Sequence, residues 1–225
     1  ATTTPSCVGN SSTRLATEAD RVTSATAFLP TELSGPLDVL YESRRIEPDL
    51  PDRLLTLYGG PLGLTRPTLY ANFVATLDGV AALPEVPKSS KLISGNSAAD
   101  RLVMGLLRAA ADAVLIGSGT LRGSPRTQWT AEHTYPAEAE AFAELRRHRG
   151  LPPTPTLVVL TGTGAIDPDH PALAAGALVM TTRRGAERLR GRLPGGVTVI
   201  TLSGGDRPGP AQAVAELRRR GHRVI

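Results

Sequence analysis

Ala113-Val114-Leu115-Ile116-Gly117-Ser118-Gly119-Thr120 decides the fold class. Four apolar residues and then a glycine-rich turn read as a strand that hands over to a helix. Upstream, Ser97 with Asp100 three residues later has the form of a capping box. The helix it opens runs to about Ala110, with Ala99, Leu102, Val103, Leu106, Leu107 and Ala110 as its apolar stripe. Downstream the alternation repeats. Pro136 suits the first turn of a helix reaching Arg147, with Gly150 as its stop. Leu157–Leu160, Ala177–Met180 and Val197–Leu202 read as strands, and Gly185–Arg192 and Pro210–Arg220 as helices. Arg223–Ile225 begins a further strand. Thr68–Thr76 reads as the first one, buried on both faces because apolar residues fall on both parities. Strands alternating with helices imply an α/β domain with a mainly parallel sheet and helices on both faces.

The chain has 225 residues, 40% hydrophobic and 20% charged, enough for one full core plus an extension. Residues 1–26 are rich in Ser, Thr and Ala and read as a flexible tail. Residues 27–66, rich in Pro and Leu, read as an N-terminal arm packed on the main domain, which spans 67–225. The lone Cys7 forms no internal disulfide, and four scattered histidines give no metal site. No apolar run approaches bilayer-spanning length and no signal segment opens the chain, so a cytoplasmic protein is expected. The net charge of +4 raises the question of nucleic acid. The arginines, however, cluster in helix tails such as Arg146-Arg147 and Arg218-Arg219-Arg220, where cations complement the helix dipole. With 4% aromatics there is no stacking platform. Neither nucleic acid nor membrane is an expected partner.

In an open parallel sheet, ligands bind beyond the carboxyl ends of the strands. Gly117–Thr120, Thr161–Gly164 and Thr181-Thr182 all lie there, and glycine turns feeding helices suit a phosphate. No P-loop and no Gly-x-Gly-x-x-Gly follows the first strand. Asn72 and Thr76 share one face of that strand, with Asp78 at the turn after it. Arg101 and Arg108 share one face of the helix, as a solvated surface or as an anion site. Ser90, Lys91 and Ser94 lie in a polar loop before it.

Asn72-Phe73-Val74-Ala75-Thr76-Leu77-Asp78-Gly79, Leu92-Ile93-Ser94-Gly95, Leu107-Arg108-Ala109 and Asp112–Thr120 follow one another in a familiar order and spacing. Over residues 67–225 the chain resembles the reductase domain of bifunctional riboflavin-biosynthesis deaminase/reductases, which has the dihydrofolate reductase fold. The deaminase zinc motif is absent. The resemblance implies NADPH as hydride donor and a pyrimidine- or pterin-type acceptor with a polar tail, ribosylaminouracil phosphate-like or dihydrofolate-like. It implies that Val74, Leu92, Ser94, Gly117, Ser118, Gly119 and Thr120 line the cofactor groove, with Thr161 and Gly162 near the adenosine 2′-phosphate. Ser90 and Arg108 match positions that hold the substrate's phosphate. Asn72 and Asp78 are the polar candidates at the reacting end, although Asn72 stands where the riboflavin reductases carry Lys. Such domains pair as homodimers. They also continue past the strand at Val224-Ile225 into a Glu-Gly-Gly loop, so the expectation is a sheet incomplete at its C-terminus. The alternative function is a non-catalytic member of the same fold that binds a nucleotide or folate-like ligand. A nucleic-acid-associated domain is a third and weaker reading.

Overall fold

The computed structural model describes residues 33, 35–40, 46–64, 67–83, 86, 89–203, 205 and 208–225. The tail expected over residues 1–26 lies outside them. In chain order the elements are α1 (Asp52–Tyr58), α2 (Ser89–Ile93), α3 (Ala98–Ala110), β1 (Ala113–Gly117), α4 (Ser118–Gly123), α5 (Ala131–Thr134) and α6 (Ala139–His148). They continue with β2 (Thr156–Thr161), α7 (Pro171–Ala174), β3 (Ala177–Thr181), α8 (Arg183–Leu189), β4 (Val197–Thr201) and α9 (Pro210–Arg219).

The four strands form one parallel sheet in the order β1-β2-β3-β4. Successive residues of a strand point to opposite faces, so apolar runs of both parities need cover on both sides. Leu157, Val159 and Val179 pack against Leu121 of α4, Leu173 of α7 and Leu189 of α8. Val158 and Met180 face the other way, onto Ala213 and Leu217 of α9. Burying each such aliphatic side chain contributes about 2 kcal/mol. A third cluster is made by helices alone: Leu54 and Leu57 of α1, Leu102 and Leu106 of α3, and Phe142 and Leu145 of α6. The N-terminal arm therefore supplies part of a core, and the Leu37 N–H donates to the Leu57 carbonyl at 2.9 Å.

The direction of winding reverses at β1. The chain runs from β1 out to β4, then α9 carries it back across the opposite face to Arg223–Ile225, on the free side of β1. There the Val224 carbonyl accepts from Asp112 N at 2.9 Å. The Asp112 carboxylate in turn accepts from the backbone N–H groups of Arg223 at 2.6 Å and Val224 at 2.7 Å. Such a reversal leaves a crevice beyond the strands' carboxyl ends.

Several expectations are corrected. Thr68–Thr76 is not a strand buried on both faces. Only Thr68 and Tyr70 pair with Arg223–Ile225, through one parallel bridge at Thr68 and Val224. Beyond Tyr70 the segment is extended without a ladder, and Phe73 is 78% exposed. Apolar content supplied the pattern, but a strand also needs neighbouring backbone, and none lies beside residues 71–75 among the described residues. The capping box at Ser97 is half formed: Ser97 Oγ accepts from Asp100 N, while Ser97 N donates to the Ser94 carbonyl. Ser90 and Lys91 lie on helix α2, not in a loop. Helix α8 starts two residues before Gly185 because the Thr182 hydroxyl caps it, accepting from Gly185 N at 3.1 Å. Pro136 opens a 3-10 turn (Pro136–Glu138) ahead of α6, whose Glu138 pairs with Arg53. Arg146 is not a solvated tail cation but is 2% exposed.

Candidate functional site

Threonine ends three adjacent strands. Thr161 of β2 is in register with Thr181 of β3, which is in register with Thr201 of β4. The hydroxyls of Thr161 and Thr181 are buried and have no hydrogen-bond partner among the described residues. An unsatisfied buried hydroxyl costs on the order of 1–3 kcal/mol, so a row of them at one sheet edge calls for an explanation. Thr182 is fully engaged by contrast, donating to the Gly162 carbonyl at 2.7 Å while it caps α8. Beside this row β1 ends at Gly117, paired with Leu160. A Cβ built on Gly117 or Gly119 meets no heavy atom within 4 Å, so the surface over that turn is open. Past β3 and β4 lies a cleft of about 600 Å³ lined by Thr182, Arg183, Arg184, Thr201 and Ser203 among others. Open glycines, the exposed Thr201 and Ser203 and two arginines are a donor set that fits the phosphates and ribose of a nucleotide.

The second half of the site follows α3. The Tyr70 hydroxyl donates to the Leu107 carbonyl at 2.6 Å, and burial pushes this phenol up to about 12. Asn72 is exposed and its amide reaches Met104 Sδ at 3.5 Å. One turn from Met104, Arg108 is half-buried. Burial pushes its guanidinium down to about 10, against a weaker opposing effect of Tyr70. No carboxylate lies within ion-pairing distance of Arg108 among the described residues. Its hydrogen bond goes from Nη1 to the Thr134 hydroxyl. Other half-buried cations are answered differently: Arg149 pairs with Asp49 at 3.0 Å, Arg101 lies over the Tyr135 ring at 5.5 Å, and Arg218 donates to the carbonyls of His222 and Arg223. Neither Arg101 nor Arg108 forms a solvated face.

The sheet brings Gly117, Ser118, Gly119 and Thr120 beside Thr161 and Gly162, because β1 and β2 are neighbours. Asn72 and Asp78 are not joined by a hydrogen bond. Asp78 belongs to the turn closed by Gly79, where the Thr76 hydroxyl donates to its carboxylate and accepts from Val80 N at 2.9 Å. Val74 is half-buried on the extended segment. Leu92 lies on α2, and Ser94 in the turn after it, its hydroxyl accepting from Asn96 N at 3.3 Å. Ser90 is exposed on α2 and makes no hydrogen bond to Arg108. Tyr70, Thr134 and Thr201 were not singled out from sequence. Thr201 carried a signal, since each apolar run LVVLT, ALVMT and VTVIT closes on Thr. Thr134 carried none, being one turn of helix 26 residues from its partner.

A parallel sheet wound both ways from β1, with a glycine- and hydroxyl-lined carboxyl edge, defines an α/β domain of the dihydrofolate-reductase-like class. The chain belongs to the RibD C-terminal domain family, whose model matches residues 67–225. This is a family of riboflavin-pathway reductase domains that work with a nicotinamide cofactor. The fold is shared with a pyrimidine reductase-like protein from Corynebacterium diphtheriae, with a TM-score of 0.51 and 22% identity, over 76% of this chain and 69% of that one. At that identity the likeness carries the fold alone. No curated protein matches the chain. Among the described residues no helix is long and apolar enough to cross a membrane, and no group of His, Cys, Asp and Glu is placed to hold a metal ion.

Proposed function

We propose that the protein is an NADPH-dependent reductase of a pyrimidine- or pterin-type heterocycle whose tail carries a phosphate. The observation that carries this reading is Arg108, a half-buried guanidinium facing no carboxylate among the described residues. Charges taken out of water are normally paired, and a planar N–H fork suits a phosphomonoester. Gly117, Ser118, Gly119 and Thr120, with Thr161 and Gly162, would hold the cofactor, and Arg183 and Arg184 in the neighbouring cleft favour its phosphorylated form. A bound nicotinamide supplies the hydride. The chain's own contribution is to hold the heterocycle against it, with the Asn72 amide donating to a ring carbonyl and Arg108 fixing the distant phosphate. Asp78 is held in its turn by Thr76 and bears on the site through the placement of that loop. A homodimer is part of the proposal: Leu69 and Phe73 are exposed on the extended segment, where a partner would cover them.

NADPH and NADH titrations, followed by NADPH oxidation with phosphorylated and unphosphorylated ribosylaminopyrimidines, test the reading. NADPH binds more tightly, the phosphorylated acceptor is consumed, and Arg108→Met raises its KM by about tenfold to a hundredfold, the range for a charged hydrogen bond. Indifference to the substrate's phosphate would sink the assignment. NADPH binding without oxidation of any acceptor would favour a ligand-binding role, which the neutral Asn72 suits. Absence of dinucleotide binding would defeat both.

A further inference from the structure

We infer that Thr134 is the positioning residue of the anion site: it holds the Arg108 guanidinium through a neutral acceptor and so leaves its charge for a phosphomonoester. The inference rests on the reading of Arg108 given above. Thr130 caps α5, its hydroxyl accepting from His133 N at 3.3 Å. One turn later the Thr134 hydroxyl donates its single proton to the Thr130 carbonyl at 2.7 Å. A hydroxyl with its proton committed has only lone pairs to offer, and it offers one to Arg108 Nη1. The oxygen is thus oriented as an acceptor by its own helix turn.

Among the described residues no carboxylate is within ion-pairing distance of Arg108. It sits in the last turn of α3, where free carbonyls would normally answer a cation. Three carbonyls at that helix end already accept from other side chains: Arg146 Nη1 donates to Ala109 and Ala111 at 2.9 Å each, and Tyr70 donates to Leu107. Arg53, Arg149 and Arg220 each find a carboxylate, at Glu138, Asp49 and Glu216. At Arg108 the partner is Thr. A carboxylate there would orient the fork equally well but would cancel the charge and repel an anion. Gly105 leaves room for Phe142 of α6 against α3, since a Cβ there would stand 2.8 Å from Phe142 Cζ, while the Ala131 carbonyl of α5 would be in ordinary contact at 3.5 Å.

The test uses the full chain, ribose 5-phosphate as probe with ribose as the uncharged control, and isothermal titration of Thr134→Val, Thr134→Ser, Thr134→Asp and Arg108→Met. Thr134→Val lacks the acceptor and binds ribose 5-phosphate about tenfold more weakly, as for one lost hydrogen bond. Thr134→Ser keeps the hydroxyl and binds within about twofold of the parent, a rescue that a packing role for the threonine methyl would not give. Thr134→Asp pairs with Arg108, keeps the fold and loses binding. If Thr134→Val does not fold, the contrast between Ser and Asp decides alone. Equal binding by Arg108→Met and the parent would overturn the reading of Arg108 as the anion site. Loss in Arg108→Met with parent-like binding by Thr134→Asp would overturn this inference and leave that reading standing.

Discussion

The Tyr70 hydroxyl donates to the Leu107 carbonyl at 2.6 Å and so fastens the extended segment that carries Asn72 to the helix that carries Arg108. Tyr70→Phe leaves a carbonyl of the last helical turn without its partner and costs about 1 kcal/mol in a urea titration at neutral pH. It also changes the alkaline limb. The folded pKa is raised from 10.0 to about 12, so the contribution of Tyr70 is complete below pH 10 and is lost as pH rises toward 12. Arg108 works the other way in the same window: its folded pKa is lowered to about 10, so the folded state sheds that proton first and gains stability as pH rises. Unfolding midpoints of Tyr70→Phe and Arg108→Met across pH 9–11, an interval of about two units, should therefore diverge in opposite directions.

Arg108→Met is expected to raise the melting temperature of the ligand-free protein, by on the order of 1 kcal/mol in stability, because it removes a poorly solvated charge that lacks a counter-ion. Added phosphate should stabilise the parent more than the variant, which keeps only the glycine edge and the Arg183–Arg184 cleft to bind it. Differential scanning fluorimetry with and without phosphate reads both effects, and a variant less stable than the parent would mean that the charge is already compensated.

Arg146 is the second buried guanidinium, and its work is structural. Nε donates to the Pro152 carbonyl at 2.6 Å, and Nη1 gathers Ala109 and Ala111 at the end of α3. Arg146→Met strands those carbonyls and should cost about 3 kcal/mol or more. Arg146→Lys cannot reach Pro152 and the helix end together, because an ammonium lacks the fork. We expect it to recover less than half of the loss by chemical denaturation.

On the acid side, burial lowers the His222 pKa below 6.5, with the Asp112 carboxylate opposing and Arg220 reinforcing the shift. The unfolded chain then takes up a proton more readily than the folded one. Stability contributed by the neutral ring is complete above pH 6.5 and declines as pH falls toward the lower folded value. His222→Asn should flatten this limb below pH 6.5. Glu216, whose carboxyl is held low by Arg220 and Arg219, contributes its loss separately, from 4.5 downward.

Much of this architecture was legible because it is local. Ala113–Gly117, Thr156–Thr161 and Ala177–Thr181 are short apolar runs flanked by turn residues, and they fold within a residue or two of where the sequence places them. The α3 helix starts after Ser97 as its cap requires. Thr68–Thr76 misled because its apolar pattern says what it could bury and nothing about which backbone stands beside it. Arg146 misled because charge outweighed position. It shares the buried face of α6 with Phe142 and Leu145, a helical spacing that marks it as an inward residue. The glycine edge of the site was legible as turn chemistry. The Arg108–Thr134 pair was not, since it joins a helix to a single turn 26 residues further along the chain.

The last expectation concerns the edge where Thr181 meets α8. A Cβ on Gly185 would stand 2.0 Å from Thr181 Oγ1 and 3.1 Å from both the Gly162 carbonyl and Gly164 N. Gly185 therefore sets how closely the first turn of α8 approaches the two strand ends that carry the orphaned hydroxyls. Gly185→Ala forces Thr181 into another rotamer or pushes α8 outward, at a cost of about 1–3 kcal/mol. If the Thr161–Thr181 edge binds the cofactor, the same variant weakens NADPH binding more than it weakens ribose 5-phosphate binding, because Arg108 lies on α3, away from this turn. Thr181→Val removes one orphaned hydroxyl at nearly constant volume and serves as the partner measurement. Alone it should raise or preserve stability in the ligand-free protein, since it deletes an unsatisfied buried group. Its NADPH affinity then separates a hydroxyl kept for a ligand from one that merely fits the fold: a drop of about tenfold indicates the first, and an unchanged affinity the second.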